Sequence, residues 1–448
     1  MDENRKTLWF VLTAVVLLAL AVIVTPKRIT PEAFIGQGQA FFPDFEDPNE
    51  ATTLEVIEYD QETGEAVPFK VTFENGKWTI PSHYNYPADG AERLANTAAA
   101  MIQIKKDDYR SSIITDHEQF SVIDPLSDDV SLKGKGQRIT IKGRGGAVLA
   151  DLIIGREVEK KNGFKYVRSP EQSRVYAART EIEVSTKFED WIDSDLLKVT
   201  TEKIERVVIN DYTINERTLS VERRDNLALS RGDNDLWSAD KMRSTQKVDD
   251  VRMRELLNSL VELKIVDVRP KPQGLSQSLK SKSSDGKKIS SQDRFSLQSK
   301  GFYFTSDGQL LSNEGEMLIY TDDGVKYTLR FGEIAGTEVS GDEGRIIENR
   351  YLFISTAFDS SSFPEPSGPS SDEWRTKADS LFTSTDTRNK QLANARTVWQ
   401  SKTDFGISLS VELNNRFADW YYVISSESFD KLQMRRQELI IKKSDSEG

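Results

Sequence analysis

The stretch FKVTFENGKWTI, residues 69–80, indicates the fold class of this chain. Apolar residues occupy every second position from Phe69 to Phe73, which is the pattern of a β-strand with one buried face. Asn75-Gly76 follows at once, and this dipeptide is the strongest short signal for a two-residue type I′ turn. The stretch therefore predicts antiparallel strands joined by short turns.

The sequence on either side of this stretch extends the sheet and adds helices. Alternating strands begin at Thr53, and hairpins are predicted over 137–155 and 164–176. Helices are predicted to start at Ala88-Asp89-Gly90 and to cover Glu181–Val199, because apolar residues recur there three or four positions apart. Such antiparallel strands combined with helices are typical of an α+β fold.

The same order of elements occurs again further along the chain. Trp78 stands shortly before the first helix, and Trp237 stands shortly before a Leu-rich helix in the second half. A strand that ends at Gly155 is matched by a strand that ends at Gly332. Such order-preserving similarity is the mark of an internal repeat. We therefore predict two related domains, each an antiparallel sheet packed with helices, with both tryptophans as core anchors.

Shifts in composition along the chain define the predicted segments. They are a cytoplasmic tail and transmembrane anchor (1–25), a juxtamembrane spacer (26–50), a first α+β repeat domain (51–200), a second (201–441) and a polar tail (442–448). The second domain carries two insertions. The first, 270–300, is a basic Ser-rich loop, and the second, 359–415, begins as a Ser/Pro linker and continues as a polar helix over 372–400.

One segment departs from the soluble pattern. Leu8–Val24 is 17 residues long and contains no charged residue, which with its flanking threonines suits a hydrocarbon core of about 30 Å. We favour an uncleaved anchor. A signal peptide cleaved after Ala19-Leu20-Ala21 and a buried core helix are the alternatives. Two basic residues flank each end, so charge does not fix the orientation, and the short N-terminal tail favours a body outside the cytoplasm.

Composition excludes several classes of function. The chain has 448 residues, 60 Lys and Arg against 72 Asp and Glu, and a formal net charge of −12, so nucleic acid is not an expected partner. It contains no cysteine and only two histidines, which removes disulfides, thiol nucleophiles and nearly every zinc site. P-loop and nucleophile-elbow motifs are missing from the sequence. We therefore predict no catalytic, cofactor-binding or metal-binding residue.

Four features could still carry chemistry, and each also has a plain interpretation. His117 lies between two acids and is interpreted as solvated surface, while residues 233–235 begin like a calcium loop but lack its later glycine and glutamate. The basic stretch 133–144 could contact an anion or a lipid headgroup, or form two solvated turns. Trp420-Tyr421-Tyr422 could stack on a carbohydrate, although core packing is favoured in a strand.

Several motifs, in a fixed order, resemble one known family. They are Gly76-Lys77-Trp78, Pro87-Ala88-Asp89, Ile153-Ile154-Gly155 and Tyr166-Val167-Arg168, with 310–316, 329–332 and 417–422 resembling its longer bacterial members. The family is domain of unknown function 4340 (DUF4340). It supplies no established activity and no catalytic residues. Its members are often encoded beside gliding-motility-type ABC transporter genes, and this implies an extracytoplasmic accessory subunit.

These observations together predict a non-enzymatic, single-pass protein of the cytoplasmic membrane with a periplasmic or extracytoplasmic body. Its expected partners are the bilayer, through residues 8–24, and a membrane protein such as an ABC transporter permease. A carboxylate-based envelope glycan hydrolase and a structural spacer of the envelope are the two alternatives.

Overall fold

The computed structural model describes residues 13–18, 36–61, 63–128, 133–215, 217–218, 220–232, 234–280, 290–305, 308–340 and 345–443. The chain divides into two compact units. Unit 1 comprises the described parts of Met1–Phe73 and Ala91–Thr186, and unit 2 those of Glu74–Gly90 and Lys187–Gly448.

The strands follow one another in this order along the chain: β1 (Thr53–Asp60), β2 (Glu65–Glu74), β3 (Lys77–Ile80), β4 (Tyr86–Pro87), β5 (Asp108–Ser111), β6 (Gln137–Lys142), β7 (Val148–Glu157), β8 (Phe164–Arg168), β9 (Val175–Arg179), β10 (Ile204–Asn215), β11 (Ser220–Arg231), β12 (Trp237–Ala239), β13 (Gln246–Val248), β14 (Ile265–Pro270), β15 (Phe302–Phe304), β16 (Leu310–Ser312), β17 (Glu316–Thr321), β18 (Val325–Ser340), β19 (Arg345–Phe358), β20 (Trp420–Ile424) and β21 (Ile440–Lys442). The helices are α1 (Ala91–Gln103), α2 (His117–Phe120), α3 (Asp250–Val261), α4 (Gln273–Lys280), α5 (Ser291–Gln298), α6 (Ser384–Ala418), α7 (Ser426–Leu432) and α8 (Arg436–Leu439).

Unit 1 is built on an antiparallel sheet in the order β2-β1-β6-β7-β8-β9-β5. Alternate residues of its strands are buried, as Leu54 and Val56 show in β1, because successive side chains of a strand point to opposite faces. Helix α1 buries Leu94, Ala98 and Met101, the apolar face that the sequence predicts.

Unit 2 contains a larger antiparallel sheet in the order β12-β11-β10-β17-β18-β19-β20-β14. The long helix α6 packs against β19, and α3 contacts α7. β3 pairs with β4, and the pairs β13–β21 and β15–β16 each form a separate two-stranded sheet. Tyr421 and Tyr422 of β20 are both fully buried, because this strand is covered on both faces.

The two sheets share one strand order. In each, a hairpin (β1 with β2, or β10 with β11) adjoins four successive strands. The sheet then ends with a strand that follows a helix in the chain, β5 after α1 and β14 after α3. The α+β class predicted from the sequence is confirmed.

The turn at Asn75-Gly76 has the backbone that the sequence predicts. Asn75 and Gly76 have φ angles of 54° and 77°, and both must be positive in a type I′ turn. Glycine costs little in this conformation and asparagine tolerates it.

The proposed anchor, residues 8–24, falls largely outside the described residues. Of this segment only 13–18 are described, and they are helical. No helix in the described ranges is long and apolar enough to cross a membrane.

Three predicted elements differ from the structure. The helix predicted over Glu181–Val199 is wrong, because the structure has no α-helix there. Burial alternates from Glu181 to Val184, and a 3₁₀ turn follows at Phe188–Trp191. The helix predicted over 372–400 is in fact α6, which starts at Ser384 and ends at Ala418. A capping box between Thr383 and Asp386 fixes its start.

The basic loop predicted over 270–300 contains two helices, α4 and α5. Ser290 caps α5 by accepting a hydrogen bond from the Asp293 backbone N–H. The Ser-rich composition predicts a loop, whereas Ser290 is the N-cap at which a helix begins.

Two predictions about single side chains also need correction. Trp78 and Trp237 are both half-buried, so neither is the fully packed core anchor that the repeat pattern predicted. His117 is buried rather than solvated, and its ring Nε2 donates a hydrogen bond of 2.9 Å to the Ser173 carbonyl oxygen. Burial lowers the pKa of His117, which favours the neutral ring.

Candidate functional site

A cleft of about 580 Å³ lies in unit 2, where β10 and β11 meet the segment between α7 and α8. Its apolar lining residues are Ile209, Leu227, Met317, Phe331, Leu432 and Met434. Its charged lining residues are Asp211, Arg224, Asp225, Glu314, Glu316, Arg435 and Arg436. This volume suits a small ligand or a short peptide segment.

A glycine turn places two glutamates at the edge of the cleft. Gly315 has a φ of +75°, and a Cβ on it would lie 2.5 Å from the carbonyl oxygen of Asn210. The turn can therefore approach β10 closely only with glycine at this position. The amide of Gln433 donates a hydrogen bond of 2.9 Å to the Glu314 carbonyl oxygen, which joins the turn to the opposite wall.

Glu316 is the most buried acid of the cleft. Its Oε2 lies 3.2 Å from Arg330 Nε, and its Oε1 accepts a hydrogen bond of 3.1 Å from the Asn210 amide. Burial lowers the pKa of Arg330, while the neighbouring charge of Glu316 opposes that shift. The two charges are thus buried together, and their Coulombic attraction offsets part of the free-energy cost of removing them from water.

The remaining acids of the cleft also have guanidinium neighbours. Asp211 accepts a hydrogen bond of 2.7 Å from Arg224, and Asp225 lies 3.2 Å from Arg436. Glu314 lies 3.8 Å from Arg350 Nη1, which is a looser contact. Each acid of the cleft is therefore held beside an arginine side chain.

Arg435 differs from the other arginines of the cleft. Its side chain is exposed, and it forms no ion pair within the described ranges. The cleft therefore offers one uncommitted cation beside four committed carboxylates.

The cleft brings together residues that the sequence had marked only as family motifs. The segment 310–316 supplies Glu314 and Glu316, and the segment 329–332 supplies Phe331 from the neighbouring strand. The sequence did not assign them to a site, because their partners on β10, on β11 and after α7 are distant in the chain. The Glu-Gly-Glu order around a turn was the one local signal available.

Most basic residues of the stretch 133–144 contact other residues of unit 1. Lys135 donates to the Ser127 carbonyl oxygen at 2.8 Å, Arg138 binds both oxygens of Asp151, and Lys142 lies 2.6 Å from Glu55. The turn at Arg144–Gly146 is exposed, as the interpretation of solvated turns predicts. Lys135, Arg138 and Lys142, however, already have partners within the protein.

The aromatic run 420–422 is divided between core and surface. Tyr421 and Tyr422 are fully buried, as the favoured core interpretation requires, whereas Trp420 is half-buried. Across the described ranges, no group of three or more His, Asp or Glu side chains could hold a metal ion.

Comparison with protein families gives one match. Residues 78–278 match the family described as Domain of unknown function (DUF4340). This segment is a DUF4340 domain. The match confirms the family recognised from the motifs, and it begins at Trp78 and ends within α4. DUF4340 carries no assigned activity in its description. No curated protein and no solved structure matches the chain.

Proposed function

We propose that this protein is a non-catalytic binding subunit of an envelope complex, held in the cytoplasmic membrane by residues 8–24. Its body would lie on the extracytoplasmic side, and its membrane partner would be an ABC-type transporter of the gliding-motility class. The apolar stretch of the sequence and the resemblance to DUF4340 members support the location and the partner.

The charged cleft of unit 2 carries the binding role. Each of its four carboxylates has an arginine neighbour, and Glu316 is largely buried in that contact. A site built from fixed opposite charges recognises a partner by complementarity.

The shared strand order supports a duplicated body. Gly155 lies inside β7 and Gly332 inside β18, so neither strand ends at its glycine as the sequence predicted. The two glycines nevertheless have matching surroundings: a Cβ on Gly155 would lie 2.2 Å from the Phe120 carbonyl oxygen, and one on Gly332 would lie 2.1 Å from that of Lys300. We propose that the units descend from one ancestral domain, and that the second acquired the segments around α4, α5 and α6.

The glycan hydrolase and the spacer remain the alternatives. The arginine partners of the cleft acids weigh against the hydrolase. A spacer needs no cleft. Its role would depend on its length and not on which residues line a cleft. The cleft with its exposed Arg435 therefore favours binding over both.

Crosslinking followed by co-purification from native membranes tests the proposal. A tagged full-length chain should recover a multi-pass permease, and Arg435→Glu should reduce that recovery several-fold. Arg388→Glu, a charge reversal on the exposed part of α6, is the matched control and should leave recovery unchanged. Recovery of no membrane protein, or equal loss with both variants, would contradict the binding role.

Topology needs its own measurement. Protease added to intact spheroplasts should digest the body if it lies outside the cytoplasm, and should spare a cytoplasmic control protein. Protection of the body until the membrane is lysed would place it on the cytoplasmic side and refute the proposed location.

A further inference from the structure

A second cavity of unit 2, of about 420 Å³, lies apart from the charged cleft. It is lined by Tyr86, Asp89, Asp193, Arg416 and Trp420, together with Pro87 and Ala88. Tyr86 and Trp420 meet edge to face with their ring centroids 5.0 Å apart. The cavity thus combines an aromatic wall with charged groups on a short stretch of surface.

Two of its polar groups are uncommitted. The Asp89 carboxylate is exposed and makes no hydrogen bond or ion pair with any described residue; only its backbone N–H is bound, to the Trp191 carbonyl oxygen at 2.8 Å. The indole N–H of Trp420 likewise has no hydrogen-bond acceptor in the described ranges. One acceptor and one donor are therefore available to a ligand.

The other polar groups are held in place. Arg416 Nη2 lies 3.4 Å from Asp193 Oδ2 and 3.3 Å from the Asp195 carbonyl oxygen, and Lys198 lies 2.6 Å from Asp193. Burial raises the pKa of Asp193, but the hydrogen bonds from Lys198 and the Asp195 backbone, with the charge of Arg416, outweigh it and lower that pKa. Asp193 and Arg416 therefore offer a fixed acceptor and a fixed donor at one side of the cavity.

We propose that this cavity binds a neutral saccharide, with one sugar ring against Trp420 and its hydroxyl groups bonded to Asp89 and Arg416. Sugar hydroxyls both donate and accept hydrogen bonds, which matches a lining that mixes free donors and acceptors. The apolar C–H face of a sugar ring suits an indole that is half-buried and has a polar edge.

The charges of the lining disfavour the other ligand classes. An anion would meet the unpaired Asp89 carboxylate, while the one guanidinium nearby is already shared with Asp193. A simple cation could pair with Asp89 but would leave the indole N–H of Trp420 without an acceptor. This inference goes beyond the proposed transporter partner and does not depend on it.

Titration of the full-length chain with sugars tests the proposal. The protein is held in a detergent without a sugar headgroup, and tryptophan fluorescence is followed with N,N′-diacetylchitobiose, cellobiose and maltose. At least one of the three should give a saturable change. Asp89→Asn should weaken that binding by about tenfold, because a bond to a charged acceptor becomes a bond to a neutral one.

Matched variants separate the cavity from general effects. Asp44→Asn removes an exposed carboxylate of unit 1, and Trp237→Phe alters another half-buried tryptophan; both should bind as the unchanged chain does. Trp420→Phe should weaken binding and reduce the fluorescence change. Because the Asp89 side chain makes no hydrogen bond or ion pair with a described residue, Asp89→Asn should fold normally, as circular dichroism will show.

Three results would overturn the proposal. They are the lack of a saturable change with all three sugars, equal affinity in Asp89→Asn and Asp44→Asn, and stronger binding of choline or glucuronate than of any neutral sugar. None of these outcomes bears on whether a transporter co-purifies with the chain.

Discussion

Glu316 and Arg330 face each other in register on β17 and β18, and Arg330 Nε lies 3.2 Å from Glu316 Oε2. Only 13% of the Glu316 side chain and 17% of the Arg330 side chain are exposed. The charged cleft thus rests on an ion pair that is largely removed from water.

Breaking this pair on one side should be costly. Glu316→Gln leaves the Arg330 charge buried without its counterion, and we expect a loss of about 3–5 kcal/mol in the local free energy of unfolding. Hydrogen exchange of the β17 and β18 amides, measured by mass spectrometry, reports that local free energy. The double variant Glu316→Leu with Arg330→Met should lose less than Glu316→Gln, and a larger loss would contradict this account.

Gly332 should not tolerate a methyl group. A Cβ on it would lie 2.1 Å from the Lys300 carbonyl oxygen and 2.8 Å from the Phe302 ring, so Gly332→Ala should destabilise unit 2 by about 1–3 kcal/mol or more. Gly336→Ala in the same strand is the control, because nothing lies within 4 Å of its added Cβ. Urea unfolding should separate the two variants, and similar midpoints would show that the backbone can shift.

Trp191 should matter more to stability than Trp78. Trp191 is 1% exposed, so Trp191→Ala should cost about 3–5 kcal/mol, as expected for a large core residue. Trp78 is half-buried, and Trp78→Ala should cost less than half as much because less apolar surface leaves the protein. Urea unfolding followed by circular dichroism measures both, and an equal or larger loss for Trp78→Ala would contradict the burial argument.

Asp386 should link the stability of α6 to acid pH. Hydrogen bonds from the Thr383 hydroxyl and backbone, and then from Lys377, lower the pKa of Asp386 from 3.8 to about 2. Because the folded-state pKa lies below the unfolded value, the stabilisation is complete above the unfolded pKa. It is lost as pH falls from about 4 to about 2.

The matched comparison is with Asp379→Asn. Asp386→Asn should lower the melting temperature at about pH 7, and the difference from the unchanged chain should shrink at about pH 2. Asp379 carries an exposed ion pair of 3.2 Å with Lys390, and its substitution should have little effect at either pH. A pH-independent difference for Asp386→Asn would show that the carboxylate charge plays no part in the cap.

Local patterns in the sequence predicted the elements whose cause is local. The alternation before Asn75-Gly76, the face of α1 and the Leu-rich helix α3 all depend on residues a few positions apart. The order of motifs was also sufficient to recognise the DUF4340 family.

The elements that were mispredicted depend on distant contacts. Ile182 and Val184 are buried in a segment without regular secondary structure, although their neighbours are common in helices. Helix α6 continues through Gly406. A Cβ there would lie 2.3 Å from the Asp323 carbonyl oxygen, so this glycine allows close packing and does not end the helix.

The sequence by itself determined the fold class, the similarity of residues 78–278 to DUF4340 and the apolar segment 8–24, because composition, periodicity and motif order are properties of short stretches. Only the tertiary structure decided which charges meet. Glu316 finds Arg330 across a hairpin, and Asp89 lies in one cavity with Trp420, more than 300 residues away in the chain. Coulombic and hydrogen-bond energies depend on distances of a few ångströms. Sheet pairing sets that distance for Glu316 and Arg330, and tertiary packing sets it for Asp89 and Trp420.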